Sequence, residues 1–142
     1  MDGYIKYKIL PELNLIIEYY CGKVNIDDII NHKKSEIEDI EYNPNYNFIG
    51  DLRDSELDVT QEDVFVYVSF LETNNKVSGQ RKSAILTNTP NQVAFTSLFK
   101  HKSKKLPANN QIFSTLEAAM EWLNLSKNHL THIMGIIENM KN

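Results

Sequence analysis

The first 25 residues alternate between apolar and polar positions in the manner of two strands. Residues 4–10 (YIKYKIL) alternate large and charged side chains with a period of two, which is typical of a half-buried strand. Residues 11–13 form a turn, and residues 15–21 (LIIEYYC) predict a second strand that Gly22 ends. The two segments therefore predict a β-hairpin.

After the hairpin, apolar residues recur at the spacing of a helix. Asn25 is a helix-capping residue with two acids behind it, and Asn43-Pro44-Asn45 would stop the helix that it starts. The isoleucines that define the apolar face of this helix are Ile26, Ile29, Ile30, Ile37 and Ile40.

The run at residues 64–71 (VFVYVSFL) is ambiguous. Its β-branched and aromatic side chains favour a strand. Thr60, followed by Gln61, Glu62 and Asp63, has the character of a capping box, which favours a helix. We predict a helix.

Three more helices are predicted further along the chain. One begins at Pro90, one follows Ser114 or Thr115, and one covers about residues 129–140. The apolar side of the helix at Pro90 is assigned to Val93, Ala94, Phe95, Leu98 and Phe99.

Short apolar runs between the helices predict strands at residues 48–52, 83–87 and 111–113. The element order is ββαβαβαβα plus a terminal helix, and strands separated by helices imply parallel pairing. The predicted fold class is α/β, with a mixed, mostly parallel five-stranded sheet flanked by helices and an extra C-terminal helix.

Four segments in this order resemble the SpoIIAA-like (STAS/SEC14) family, which is often found as small bacterial proteins. They are Gly22-Lys23-Val24-Asn25, FIGDLR at residues 48–53, QRKSAIL at residues 80–86 and FSTLEAAMEWL at residues 113–123. The resemblance implies a STAS-like domain over residues 1–125 and a helical extension over residues 126–142. It also implies a loose link to apolar-ligand binding.

Charge is distributed in blocks along the 142 residues, whose formal net charge is −4. Residues 36–72 carry eleven acids and one base, whereas residues 73–116 carry seven bases and no acid. We expect the acids at residues 36–41 to compensate the basic run at residues 100–105, within or between chains. The split then does not indicate nucleic-acid binding.

Composition excludes other classes. The single Cys21 excludes an internal disulfide framework, and no apolar run approaches the ~20 residues of a membrane span. The N-terminus lacks the pattern of a signal peptide, so a reduced cytoplasm is the expected location.

The predicted loop at residues 51–63, after the third predicted strand, is the first candidate site. In open α/β sheets ligands bind beyond the carboxyl ends of strands, so Asp51, Arg53 and Ser55 are predicted to contact a ligand or partner. Alternatively, Arg53 pairs with Asp54, Glu56 or Asp58 and only orders the loop. Related anti-anti-sigma proteins are phosphorylated on a serine in an Asp-Ser-Ser/Thr-Gly motif, and Ser55 is the one hydroxyl here, without the glycine.

The second predicted helix is apolar on two sides. Val64, Tyr67, Val68 and Leu71 fall on one side, and Val66 and Phe70 fall nearly opposite. The second side needs a cover, which could be the terminal helix, a second subunit or an apolar ligand. We expect either mutual packing with the terminal helix or dimerisation.

No catalytic or cofactor motif stands out. His129 and His132 are three residues apart on a predicted helix without further metal ligands near them in sequence, so no metal and no cofactor are expected. The predicted function is a non-enzymatic protein-interaction or regulatory module that forms a homodimer or binds another protein. The alternative is a small carrier or sensor of an apolar or anionic ligand near residues 51–58.

Overall fold

The computed structural model describes residues 2–77 and 79–141, and its strands form one sheet of five in the order β1-β2-β3-β4-β5. β1 is antiparallel to β2, and the remaining neighbours are parallel. The strands are β1 (Tyr4–Leu10), β2 (Leu15–Asn25), β3 (Asn47–Asp58), β4 (Lys82–Leu86) and β5 (Asn109–Phe113).

The helices follow the strands in the predicted order. They are α1 (Ile26–Glu36), α2 (Gln61–Glu72), α3 (Pro90–Lys102), α4 (Leu116–Trp122) and α5 (Leu130–Asn139). The predicted fold class, a mixed and mostly parallel sheet flanked by helices, is thus confirmed.

Capping explains where the helices begin. The side chains of Asn25 and Thr60 each accept a hydrogen bond from the backbone N–H three residues on, and the carboxylates of Asp28 and Asp63 accept one from the backbone N–H of the capping residue. Thr89 and Thr115 cap α3 and α4. The capping box at Thr60 outweighs the strand propensity of residues 64–71, so the prediction of a helix there is confirmed.

Two predicted ends are wrong because local pairing continues past them. β2 does not end at Gly22, since that glycine adopts a φ of 74° after a register shift and pairing with β3 resumes up to Asn25. β3 does not end at Leu52, and its continuation to Asp58 pairs with the end of β2. The predicted loop at residues 51–63 is therefore mostly strand.

Two predicted apolar faces are only partly correct, because Ile29 of α1 and Phe95 and Phe99 of α3 pack inward but other predicted positions do not. α1 ends at Glu36 rather than near Asn43, and Ile40 is 99% exposed in the turns that follow. The buried positions of α3 are Gln92 and Thr96, because Gln92 donates to the carbonyls of Leu52 and Ser55 and thereby satisfies the free edge of β3.

The core is divided by the sheet. On one face α4 and α5 cover the main apolar cluster, in which Ile133 and Ile137 of α5 are buried with Ile17 and Ile49 of the sheet. On the other face lie α1, α2 and α3, above a smaller cluster that includes Tyr20, Leu52 and Ile85.

Candidate functional site

A cavity of about 160 Å³ lies between the sheet and the helices α1, α2 and α3. An engineered apolar cavity of ~150 Å³ is large enough to bind benzene, so this cavity is of ligand size. α2 packs against α1 and α3 and forms the side of the cavity that faces the sheet. The apolar side chains of its wall include Tyr20, Ile29, Phe48, Leu52, Leu57, Val64, Tyr67, Leu71, Ile85, Phe95 and Phe99.

The alternation of strand side chains produces the floor of the cavity. Phe48, Gly50 and Leu52 of β3 point to this face, as do Ser83 and Ile85 of β4. At Gly50 a Cβ atom would lie 3.0 Å from the Phe48 ring, so the absence of a side chain there leaves space above the strand.

A buried group of four charged side chains reaches the cavity through one member, Lys33. Glu18 of β2 and Glu36 of α1 are both fully buried, and Lys33 of α1 is 5% exposed. The Lys33 ammonium lies 2.6 Å from Glu18 Oε2 and 3.6 Å from Glu36 Oε2. His32 Nε2 lies 3.4 Å from Glu18 and 3.3 Å from Glu36. We call these four residues the ionic cluster.

Neighbouring aromatic rings complete the surroundings of the ionic cluster. The Tyr20 hydroxyl donates to Glu18 Oε1 over 2.7 Å, and the Lys33 ammonium lies 4.2 Å from the centre of the Phe48 ring. Glu36 Oε2 is buried without a hydrogen-bond partner among the described residues. Its stabilisation therefore depends on the charge of Lys33 rather than on a donated hydrogen bond.

The pKa values show which charges these contacts favour. Burial would raise the pKa of Glu18, but Lys33 and His32 together hold it well below its usual range. Burial, together with the nearby charge of Glu18, raises the pKa of Glu36. Burial would lower the pKa of His32, but hydrogen bonds to the two carboxylates raise it to about 9. With Lys33 also protonated, two cations face two acids.

The ionic cluster contains the potential ligands of a metal ion. Ligand atoms of Glu18, His32 and Glu36 lie within 4.8 Å of one another. The Lys33 ammonium already occupies the space between the carboxylates and supplies the positive charge that a metal would bring. The geometry thus favours an internally neutralised ionic cluster over a metal centre.

Asp51 and Arg53 form an ion pair on the face of the sheet opposite the cavity. Asp51 is 1% exposed and accepts from Arg53 Nε and Nη2, each over 2.9 Å. The partner of Arg53 is therefore Asp51 rather than the acids of the following segment. The hydrogen bonds to Asp51 raise the pKa of Arg53. Neither residue lines the cavity.

Ser55 is held within β3. It is 9% exposed, and its hydroxyl donates to the Leu52 carbonyl over 2.7 Å. Ser55 does not line the cavity. Its phosphorylation stays a prediction, and a kinase would have to reach a hydroxyl that is engaged inside the strand.

The second apolar side of α2 does not meet the terminal helix, because α5 packs on the other face of the sheet. Val66 is 53% exposed, and its neighbour Phe65 is 45% exposed. Phe70 is half-buried, and its ring stacks on Tyr67 with centroids 6.4 Å apart. Whether Val66 and Phe70 form an interface stays a prediction.

Sequence reasoning missed the ionic cluster, although signals for it are present. Glu18 interrupts an otherwise apolar strand, and Lys33 and Glu36 fall four and seven positions after Ile29, on the apolar face of the helix. The predicted pairing of acids 36–41 with bases 100–105 does not occur within the chain among the ion pairs of the described residues, since Glu36 turns inward to Lys33. Pairing between chains stays a prediction.

No protein-family model matches this sequence, and no curated protein does. Its backbone is similar to the crystal structure of an uncharacterised protein of the DUF3478 family from Shewanella loihica PV-4, which has a SpoIIAA-like fold. The TM-score is 0.60, and the match covers 87% of this chain and 96% of that one. The protein has a SpoIIAA-like fold. At 14% identity the similarity confirms the fold expected from the sequence resemblance and gives no ligand or activity.

The lengths and apolar character of the helices show whether one of them could cross a membrane. None of those in the described part of the chain has the length and apolar character needed to cross a bilayer. This agrees with the absence of a long apolar run in the sequence.

Proposed function

We propose that the protein is a non-catalytic carrier or sensor that holds a small apolar ligand between α1, α2, α3 and the sheet. The observation that supports this proposal is the cavity of about 160 Å³ with its predominantly apolar wall. Well-packed interiors rarely leave a void of this size, because each unfilled methyl-sized space is destabilising. A ligand that fills the space would recover the lost contacts.

The expected affinity follows from the size of the cavity. Burying five or six methylene groups at about 0.8 kcal/mol each contributes roughly 4–5 kcal/mol, which corresponds to dissociation constants in the millimolar to submillimolar range. A simple probe such as 1-octanol should bind within this range. A natural ligand with a better shape or a polar contact would bind more tightly.

The proposal is tested by titrating 1-octanol into isotope-labelled protein and following backbone amide shifts. Ser83 lines the cavity and is 8% exposed, so Ser83→Leu places extra side-chain atoms in the space that the ligand needs. We expect at least tenfold weaker binding to this variant. Ser97→Leu adds the same atoms at an exposed position of α3 and should bind octanol like the wild type. Equal affinity for all three proteins would contradict the proposal.

A second candidate function is the STAS-like interaction module. It is favoured by the adjacent exposed side chains of Phe65 and Val66 on α2. Such a module would use the outer side of α2 as a contact surface for a second copy or another protein. The same helix forms a wall of the cavity, so ligand occupancy and partner binding would be coupled in this case.

A further inference from the structure

The charged residues in the cavity wall are all of one sign. Among the described residues that line the cavity, the ones with charged side chains are Lys33 and Arg81, and no carboxylate lies in the wall. Both cations lie against the Phe48 ring, at 4.2 Å and 5.6 Å from its centre. One end of an otherwise apolar cavity is thus positively charged.

Lys33 is already neutralised. Its ammonium is paired with Glu18 at 2.6 Å and with Glu36 at 3.6 Å, both fully buried. An incoming anion at Lys33 would have to compete with two fixed carboxylates. Lys33 is therefore unsuited to bind an anionic ligand.

Arg81 is in a different position. Its Nε donates to the Pro44 carbonyl over 2.7 Å, and its Nη2 donates to the Asn43 carbonyl over 2.9 Å. These acceptors are neutral, and no carboxylate pairs with Arg81 among the described residues. The remaining guanidinium nitrogen, Nη1, makes no hydrogen bond to any residue that the structure describes. Arg81, a residue of the cavity wall, thus carries an uncompensated charge and has N–H donors left open at Nη1.

The orientation of Arg81 is set before any ligand arrives. Two carbonyls of the segment between α1 and β3 fix one edge of the guanidinium, and the rings of Tyr42 and Phe48 lie 5.6 Å away. A guanidinium held in this way loses little freedom when it pairs with a carboxylate.

We infer that the ligand is an amphiphile whose apolar tail fills the cavity and whose carboxylate pairs with Arg81. This inference rests on the proposed function, because it needs the cavity to be a binding site. Beyond the proposed function, the inference names the chemical class of the ligand, which is an organic acid with a tail of about benzene to octyl size. It also names Arg81 as the residue that selects this class. A neutral ligand would leave the charge of Arg81 unanswered.

Three probes of equal chain length test the inference: octanoate, 1-octanol and octylammonium. In amide-shift titrations at neutral pH, octanoate should bind wild-type protein at least tenfold more tightly than octanol, and octylammonium should bind most weakly. Arg81→Gln should bring octanoate to the affinity of octanol, and Arg81→Lys should retain part of the preference. Lys104→Gln removes an exposed charge outside the cavity wall and should leave the preference unchanged.

The outcomes separate the two proposals. If octanol binds in the cavity as tightly as octanoate, the inferred carboxylate class is wrong, whereas the proposed carrier function stands. If none of the three probes binds, the proposed function fails and the inference fails with it. The ratio of octanoate to octanol affinity in wild-type protein decides the inference even if Arg81→Gln disturbs the segment at Asn43 and Pro44. Unchanged octanol binding by Arg81→Gln shows that the cavity is intact in that variant.

Discussion

Replacing Lys33 with methionine tests the ionic cluster. Methionine keeps the unbranched, apolar stem of lysine but removes the ammonium that lies 2.6 Å from Glu18 and 3.6 Å from Glu36. At an effective dielectric constant of 20, charges at these separations attract by roughly 6 and 5 kcal/mol. Desolvation of the buried ammonium offsets several kcal/mol of this attraction.

The net expected loss is about 3–5 kcal/mol of unfolding free energy, as found when one partner of a buried ion pair is removed. Urea denaturation followed by circular dichroism measures it. With a typical slope of 1–3 kcal/mol per molar urea, the midpoint should fall by roughly 2 M.

Two further variants complete this experiment. Lys34→Met changes the exposed lysine next in the helix and should alter stability by less than about 0.5 kcal/mol. Adding Glu36→Gln to Lys33→Met leaves Glu18 facing His32, so charge balance returns and much of the loss should be recovered. If Lys33→Met unfolds at the same urea concentration as Lys34→Met, the reasoning about the ionic cluster is wrong.

Three other predictions concern different parts of the molecule. The pKa of His32 is raised to about 9, so its stabilising charge is fully present below pH ~6.5 and is lost as the pH rises through 9. Proton NMR should show the His32 titration near pH 9, and a midpoint near 6.5 would contradict the prediction. Val66→Asp with Phe70→Asp should reduce the mass measured by light scattering if α2 is an interface, with Ser69→Asp as an exposed control, and an unchanged mass in every variant would exclude that interface. Gln92→Leu should cost about 2–3 kcal/mol in urea denaturation because two β3 carbonyls lose their donor, and wild-type stability would refute this role.

The sequence predicts the fold well where local signals agree with packing. Asn25 and Thr60 start helices with capping boxes, and the side-chain alternation of residues 4–10 corresponds to β1. From the order of these elements the mostly parallel sheet could be predicted, and the backbone comparison confirms the SpoIIAA-like fold that the sequence resemblance implied.

Element ends were harder to predict because they depend on partners distant in sequence. β3 continues to Asp58 only because residues 22–25 of β2 pair with it and Gln92 of α3 satisfies its carbonyls. Neither partner is visible in the local pattern, where the acids of residues 51–58 suggest a loop.

The candidate site was only partly predictable for a related reason. One alternative predicted from the sequence was an apolar ligand against Val66 and Phe70 of α2, whereas the cavity lies on the other side of that helix, at Val64, Tyr67 and Leu71. The polar residues expected beside it, Asp51 and Arg53, instead neutralise each other on the opposite face. Arg81 could not be singled out from the sequence, because its lack of a carboxylate partner can be seen only in three dimensions.

The most direct test of a ligand in the cavity is the measurement of nuclear Overhauser effects between octanoate and isotope-labelled methyl groups. The account predicts contacts from the octanoate methylene protons to Val64 and Leu71 of α2 and to Ile85 of β4, all in the cavity wall. Contacts confined to the exposed Val66 on the outer side of α2, or none at saturating octanoate, would contradict it.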